Sequence, residues 1–291
     1  MSNKTVHVAT AVNDDYALPL SVMIKSASVN TPSQIKFYIF TSDLTTKNQN
    51  KIESNLNSNA SVQFIIVDAS EFEGFFTVGL SAETYFRFLI PKYLKDLERV
   101  LYLDADLLIL KSLIEVFSFD LQDNAVGAVI EPWAEKDHIA ILNPEKTNYF
   151  NAGVMLFNLS KINSGDSNEW FHFAKNHQNK IKYWDQDVLN WYYVKFSIFP
   201  IKYNLMSRFF LLKEQILENG TCDKFELEAA FKQPVIIHYN MAFWKPWVVK
   251  CKHPKKWVYA RYLWMTPWWH LVFKLIFGRM FLRFRKIAIN R

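Results

Sequence analysis

Apolar and polar positions alternate between two periods along the first quarter of the chain. Residues 6–11, 35–40 and 62–67 are short runs rich in apolar and β-branched side chains, the pattern of strands. Between them, residues 16–28 place Leu20, Met23, Ile24 and Ala27 at helical spacing, and residues 45–56 form a more polar helical stretch. Such a βαβαβ beginning predicts an α/β fold with a mainly parallel sheet. Residues 70–81 carry aromatics without a period, broken by Gly74 and Gly79, and read as a mobile loop of lid length. Residues 82–89 resume as a helix that carries Arg87 and is broken by Pro91. Strands are expected at 99–110, 125–130 and 150–158, helices at 169–177 and 187–194, and a late strand at 235–237 running into His238.

The run 99–110 is the most telling, because Asp104 and Asp106 interrupt an otherwise apolar stretch. Unpaired carboxylates are costly to bury, so a cation should sit beside them, unless both cap a turn or the helix that follows. Ligands of open α/β sheets bind beyond the carboxyl ends of the strands, where a divalent metal on a phosphorylated substrate would meet this pair.

With 291 residues, 50% of them hydrophobic, the chain can bury the core of one large domain or of a domain with an appendage. Cys222 and Cys251 stand far apart without metal-ligand spacing, and no signal-peptide core follows Met1, so a reducing, cytoplasmic setting is expected. The charge is split. Residues 229–291 hold 13 of the 34 Lys and Arg and no Asp or Glu, which leaves residues 1–228 at a net −7. The basic end also holds six of the ten tryptophans. Such an end calls for an anionic partner.

Five polar elements fall at strand ends or loop starts: Asn13-Asp14-Asp15-Tyr16, Asp104-Ala105-Asp106, Asn151-Ala152-Gly153, Tyr183-Trp184-Asp185-Gln186-Asp187, and His238 followed by Lys245-Pro246-Trp247. Together and in this order they resemble glycosyltransferase family 8, most closely the bacterial lipopolysaccharide glucosyl- and galactosyltransferases. The resemblance spans residues 6–247. It implies a GT-A, Rossmann-like nucleotide-sugar-binding fold, a UDP-hexose donor, a glycan or glycolipid acceptor, and retention of anomeric configuration. It also implies manganese(II), with magnesium as the alternative, bound by Asp104, Asp106 and His238. Ala11, Asn13, Asp15 and Tyr16 would line the uridine pocket. Arg87, Asp104, Ala105, Asn151, Asp185 and Gln186 would surround the donor, and Lys245 would meet the diphosphate.

Two carboxylates and an imidazole completed by phosphate oxygens suit manganese(II), which would neutralise the departing nucleoside diphosphate. At the anomeric carbon, Gln186 could assist front-face attack by the acceptor, or a double displacement could run through Asp185 or Glu131. Three positions depart from the family pattern. Asn13 and Glu131 stand where aspartates are usual. The ending from His238 to Trp247 has one residue more than usual and no glycine, with Met241 in that region. The last departure motivates an alternative, a catalytically weak nucleotide-sugar or carbohydrate binder on the same fold.

Residues 1–249 are therefore expected to form the catalytic domain and residues 250–291 a basic, aromatic extension. If residues 268–289 are helical, Phe273, Ile276, Phe277, Met280, Phe284 and Ile287 share one face beside Arg279, Arg283 and Lys286. That pattern fits an anionic membrane surface, with Trp264, Trp268 and Trp269 at headgroup depth, or packing on the catalytic domain. Lys274, Arg279, Arg283 and Arg285 interrupt any membrane-spanning run. The stretch is too apolar between its charges for a nucleic-acid groove, so no nucleic-acid partner is expected and the protein is placed at the inner face of the membrane.

Overall fold

The structure, a computed structural model, describes residues 5–218 and 222–276. Strands β1 (Val6–Ala11), β2 (Ile35–Thr41) and β3 (Ala60–Ile66) pair in parallel and are connected by helices α1 (Ala17–Asn30) and α2 (Thr46–Ser54). Strand β4 (Arg99–Leu103) joins the free side of β1 in parallel. The chain then departs from expectation, because residues 99–110 form two strands. Strand β5 (Leu107–Ile109) lies in a separate three-stranded sheet. The break falls at Asp104 and Asp106, carboxylates that the apolar layer around Leu101 and Leu103 would not solvate.

The main sheet continues with β6 (Val126–Ile130), β7 (Phe150–Asn158) and β8 (Ser197–Ile198), giving the order β3-β2-β1-β4-β7-β6-β8. It is mainly parallel, with β7 antiparallel to both neighbours. The small sheet has β10 (Ile236–His238) between β5, antiparallel, and β9 (Leu205–Met206), parallel. This is the α/β architecture anticipated from the sequence.

Strand periodicity explains why the apolar runs lack polar alternation. In β2, Ile35, Phe37 and Ile39 enter one core and Tyr38 and Phe40 the other; in β4, Leu101 and Leu103 oppose Val100 and Tyr102 in the same way. Both faces of the sheet are covered, so both sets must be apolar. The first core holds α1 and the small sheet; the second is built on Tyr85, Phe86, Phe88 and Trp170. Helix α1 is buried along most of its length, which accounts for its weak amphipathicity.

Residues 70–81 are anchored rather than loosely attached. Phe72 and Phe75 are buried against Phe171, with ring centroids 5.1 and 5.7 Å away, while Gly74 and Gly79 take the positive φ of +82° and +84° that make the turns. Residues 82–89 form a 3-10 helix. Pro91 does not simply break it, since it lies in the first turn of the helix Ile90–Tyr93, where a missing N–H costs nothing.

The first core also runs past the expected boundary at 249/250. The helix Lys256–Leu263 packs on α1, Tyr259, Leu263, Trp268 and Val272 are buried in that core, and Asn30 Nδ2 donates to Tyr262 Oη at 2.8 Å. The helix Lys256–Leu263, Trp268 and Val272 therefore share the first core with residues before 250. Residues 277–289 of the expected amphipathic helix lie outside the described residues. No helix among the described residues is long and apolar enough to cross a membrane.

Gly127 in β6 shows how tightly the sheet is covered: a Cβ there would lie 2.4 Å from Phe199 and 2.5 Å from Leu121. Gly127→Ala is expected to cost about 1–3 kcal/mol through overpacking. A denaturant midpoint that falls while the m-value holds would bear this out.

Candidate active site

The exchange between sheets assembles the site. Asp104 N donates to Gly153 O at 2.9 Å, so the turn stays fastened to β7 one residue beyond β4. Leu107 then pairs with His238 across the small sheet, and Tyr239 N donates to Asp106 O at 3.0 Å. The Asp104 and Asp106 carboxylates and His238 Nε2 thereby converge, all within 4.8 Å of one another. Neither carboxylate caps a helix. Gly153 makes the convergence possible, because a Cβ at this position would fall 2.3 Å from His238 Cε1 and 2.6 Å from Asp104 Oδ2.

A chain of side-chain amides fixes the imidazole. Gly153 N–H donates to Asn151 Oδ1, so that atom is an acceptor, and the group facing it from Asn204 at 2.8 Å must be the Nδ2 donor. Asn204 Oδ1 then faces His238 Nδ1 at 3.0 Å and accepts its proton. In the neutral ring this turns the Nε2 lone pair toward Asp106 Oδ1 at 3.2 Å and Asp104 Oδ2 at 3.6 Å. Three acceptors aimed at one point form a donor set for a divalent cation, and the fixed Nδ1–H is the support that metal-binding histidines usually have. Asn151 is itself saturated, its Nδ2 donating to Glu131 Oε2 at 2.9 Å and Gln186 Oε1 at 3.1 Å.

Charged groups surround this cluster in pairs. Burial alone would raise the Asp106 carboxyl, but the adjoining Lys245 ammonium and His238 hold it well below the usual range. Arg87, itself buried, lies 3.0 Å from Asp104 Oδ1 and 2.9 Å from Asp185 Oδ2, with its guanidinium 4.1 Å from the centre of the Tyr102 ring. Asp185 also accepts from Thr84 Oγ1. Burial pushes its pKa up to about 6, even though Arg87 pulls the other way. Glu131 is raised as well, by burial, and its Oε1 has no hydrogen-bond partner among the described residues.

All these groups line one cavity of about 1260 Å³. Of the residues expected at the site, Ala11, Asn13, Tyr16, Arg87, Asp104, Ala105, Asp106, Glu131, Asn151, Asp185, Gln186, His238 and Lys245 are on its wall. Asp15 is not among the lining residues; it is exposed on the 3-10 turn Asp14–Tyr16, where Asn13 accepts from Tyr16 N at 3.2 Å. Asp187 is structural, accepting from His138 Nε2, Tyr149 Oη and the backbone of Lys182 and Tyr183. Met241 is extended at φ −109° and ψ 128°, a conformation open to any residue, so the backbone there does not require a glycine.

Residues 7–251 match the sequence profile of Glycosyl transferase family 8. The chain belongs to that family. This family-8 chain is 30% identical over 263 residues to a Haemophilus influenzae protein whose name assigns it provisionally to the glycosyltransferases, covering 86% of the chain and 76% of the relative. It is 26% identical over 276 residues to the lipopolysaccharide 1,3-galactosyltransferase of Salmonella typhimurium, covering 91% and 79%. In fold it is similar to the galactosyltransferase LgtC solved with donor and acceptor sugar analogs, with a TM-score of 0.78 at 24% identity over 90% of this chain and 96% of that one. The GT-A fold anticipated above is thereby established.

Sequence reading missed Thr84, Trp133, Asn204 and Arg208. Asn204 carried a usable signal, a polar residue inside the apolar run from Tyr203 to Met206, as Asp104 is within its own. The others have no local pattern.

Because burial pushes the Asp185 pKa up to about 6, the family-8 chain should lose one of the two charges opposing Arg87 as pH falls through that value. The expected outcome is a kcat/KM that declines below pH about 6 for want of that ionised partner. Asp185→Asn should lower the plateau at least about tenfold and remove this acid limb; a limb of unchanged shape in the variant would assign it to another group.

Proposed function

We propose that the chain is a retaining hexosyltransferase that moves glucose or galactose from a UDP-sugar to a lipopolysaccharide, lipooligosaccharide or other glycan acceptor. Manganese(II), or alternatively magnesium, would be held by Asp104, Asp106 and His238. The observation that carries the reading is the convergence of three acceptor atoms beside Lys245 and Arg87 in one large cavity. Family membership supports glycosyl transfer, and relatives named as lipopolysaccharide galactosyl- and glucosyltransferases support the acceptor class.

When bound, a divalent cation would supply Lewis-acid stabilisation of the departing diphosphate. Lys245, whose ammonium lies 5.9 Å from the Tyr16 ring centre, places a second positive charge at that end. Tyr16, edge-on to Trp247 at 6.1 Å, keeps its proton because burial raises its hydroxyl, and offers a neutral ring to a base. Arg87, held between two carboxylates, is pre-oriented for sugar hydroxyls.

Hydrogen bonding weighs against Gln186 and Asp185 as nucleophiles, which leaves front-face attack or a double displacement through Glu131. Gln186 Oε1 already accepts from Asn151 Nδ2 and Ala152 N, so its lone pairs are occupied. Asp185 is engaged by Thr84 and Arg87. Glu131 has a buried oxygen without a partner among the described residues and a pKa raised by burial, which suits it to take the proton of the acceptor hydroxyl.

With manganese and a panel of nucleotide sugars, the wild type is expected to release UDP, and Asp106→Ala to reduce kcat by on the order of 10²-fold or more. Equal, negligible release by both would instead indicate a binder, and release of pyrophosphate a nucleotidyltransferase.

The same reading places the chain at an anionic membrane surface, at the cytoplasmic face. Trp264, Trp269 and Phe273 cluster at ring-centroid distances of 5.5–6.2 Å and are each about half exposed, and Trp257 and Met265 on the same segment are exposed as well. Trp268 is not part of this face, being buried in the first core beneath Lys51. Basic residues near such a patch add roughly 1 kcal/mol each at an anionic surface. Replacing Trp264, Trp269 and Phe273 together by serine should abolish sedimentation with phosphatidylglycerol vesicles, and full sedimentation of that variant would contradict membrane docking.

A further inference from the structure

We propose that Trp133 and Arg208 form an anion-binding subsite on the acceptor side of the cavity, so that the acceptor sugar carries a phosphate or a carboxylate. The inference rests on the transferase reading above and specifies its acceptor. Four Lys or Arg side chains line the cavity. Arg87 is paired with Asp104 and Asp185, Lys245 with Asp106, and Lys182 with Glu135. Arg208 ion-pairs with no carboxylate among the described residues. Its exposed guanidinium acts on the Glu131 carboxyl through space but forms no ion pair among the described residues, so it is open to an anion that enters.

The guanidinium is also pre-oriented. It lies 5.6 Å from the centre of the Trp133 ring, and Trp133 packs edge-on against the buried Phe209 at 5.0 Å. The backbone beside it is tied down, because Ser207 N donates to Asn240 Oδ1 and Ser207 Oγ to His238 O. Arg208 follows Met206, the register partner of His238, by two residues, which sets it beside the donor set. Trp133 follows Glu131, the candidate proton acceptor, by two residues on the same wall. An arginine on an indole presents a planar fork to a phosphate or carboxylate, and the exposed indole surface suits the C–H face of a sugar.

Calorimetric titration with glucose, glucose 6-phosphate and glucuronate tests the subsite directly, with UDP and manganese present to occupy the nucleotide end. Wild type is expected to bind the acidic sugars about tenfold more tightly than glucose, Arg208→Gln to remove that preference, and Arg208→Lys to retain part of it. Preference for the phosphate alone would assign a phosphorylated acceptor, and equal preference an acidic sugar of either kind. A wild type that does not discriminate, or an Arg208→Gln protein that still does, would overturn the proposal. Loss of affinity for all three sugars alike in Arg208→Gln would also overturn it, leaving Arg208 only the support of Glu131. UDP release from UDP-glucose, followed separately, reports on the transferase reading, so the two failures are distinguishable.

Discussion

Everything at this site depends on the chain changing sheets between Leu103 and Leu107. The apolar layers on both sides of β4 leave no place for a solvated carboxylate, and the strand ends where the first one occurs. Its continuation pairs with β10 instead, and that pairing fixes where His238 stands relative to both aspartates. The donor set is a consequence of where two sheets meet.

What keeps the cluster in register is a line of buried amides. Asn151 and Asn204 each use a donor and an acceptor, and together they connect Glu131 and Gln186 on one side with His238 on the other. Removing a partner from such a line strands a buried polar group at about 1–3 kcal/mol, so Glu131, Gln186 and His238 are held as one unit. Gly153 completes it by letting backbone approach where a side chain would collide with His238.

The fold was readable because strands buried on both faces leave unbroken apolar runs, and helices between them leave a second period. Asp104 and Asp106 were readable for a related reason, as polar residues interrupting such a run, whereas His238 joined them only through the family resemblance. Arg208 and Trp133 left no such trace, since one lies in the short helix Ser207–Leu211 and the other in a turn, and they meet only through the tertiary fold. The C-terminal tryptophans show a different limit. Trp268 and Trp269 are neighbours with the same chemistry, yet one is buried in the core and the other is about half exposed. Composition cannot separate buried from exposed positions when both are aromatic and basic; only the packing of the helix Lys256–Leu263 on α1 does.

Anomalous diffraction at the manganese edge, from crystals grown with manganese(II) and UDP, tests the meeting of the two sheets most directly. A peak bounded by Asp104, Asp106 and His238 Nε2, with Nδ1 still donating to Asn204, is the predicted result. No peak among those atoms, or one centred on other side chains of the cavity, would contradict it.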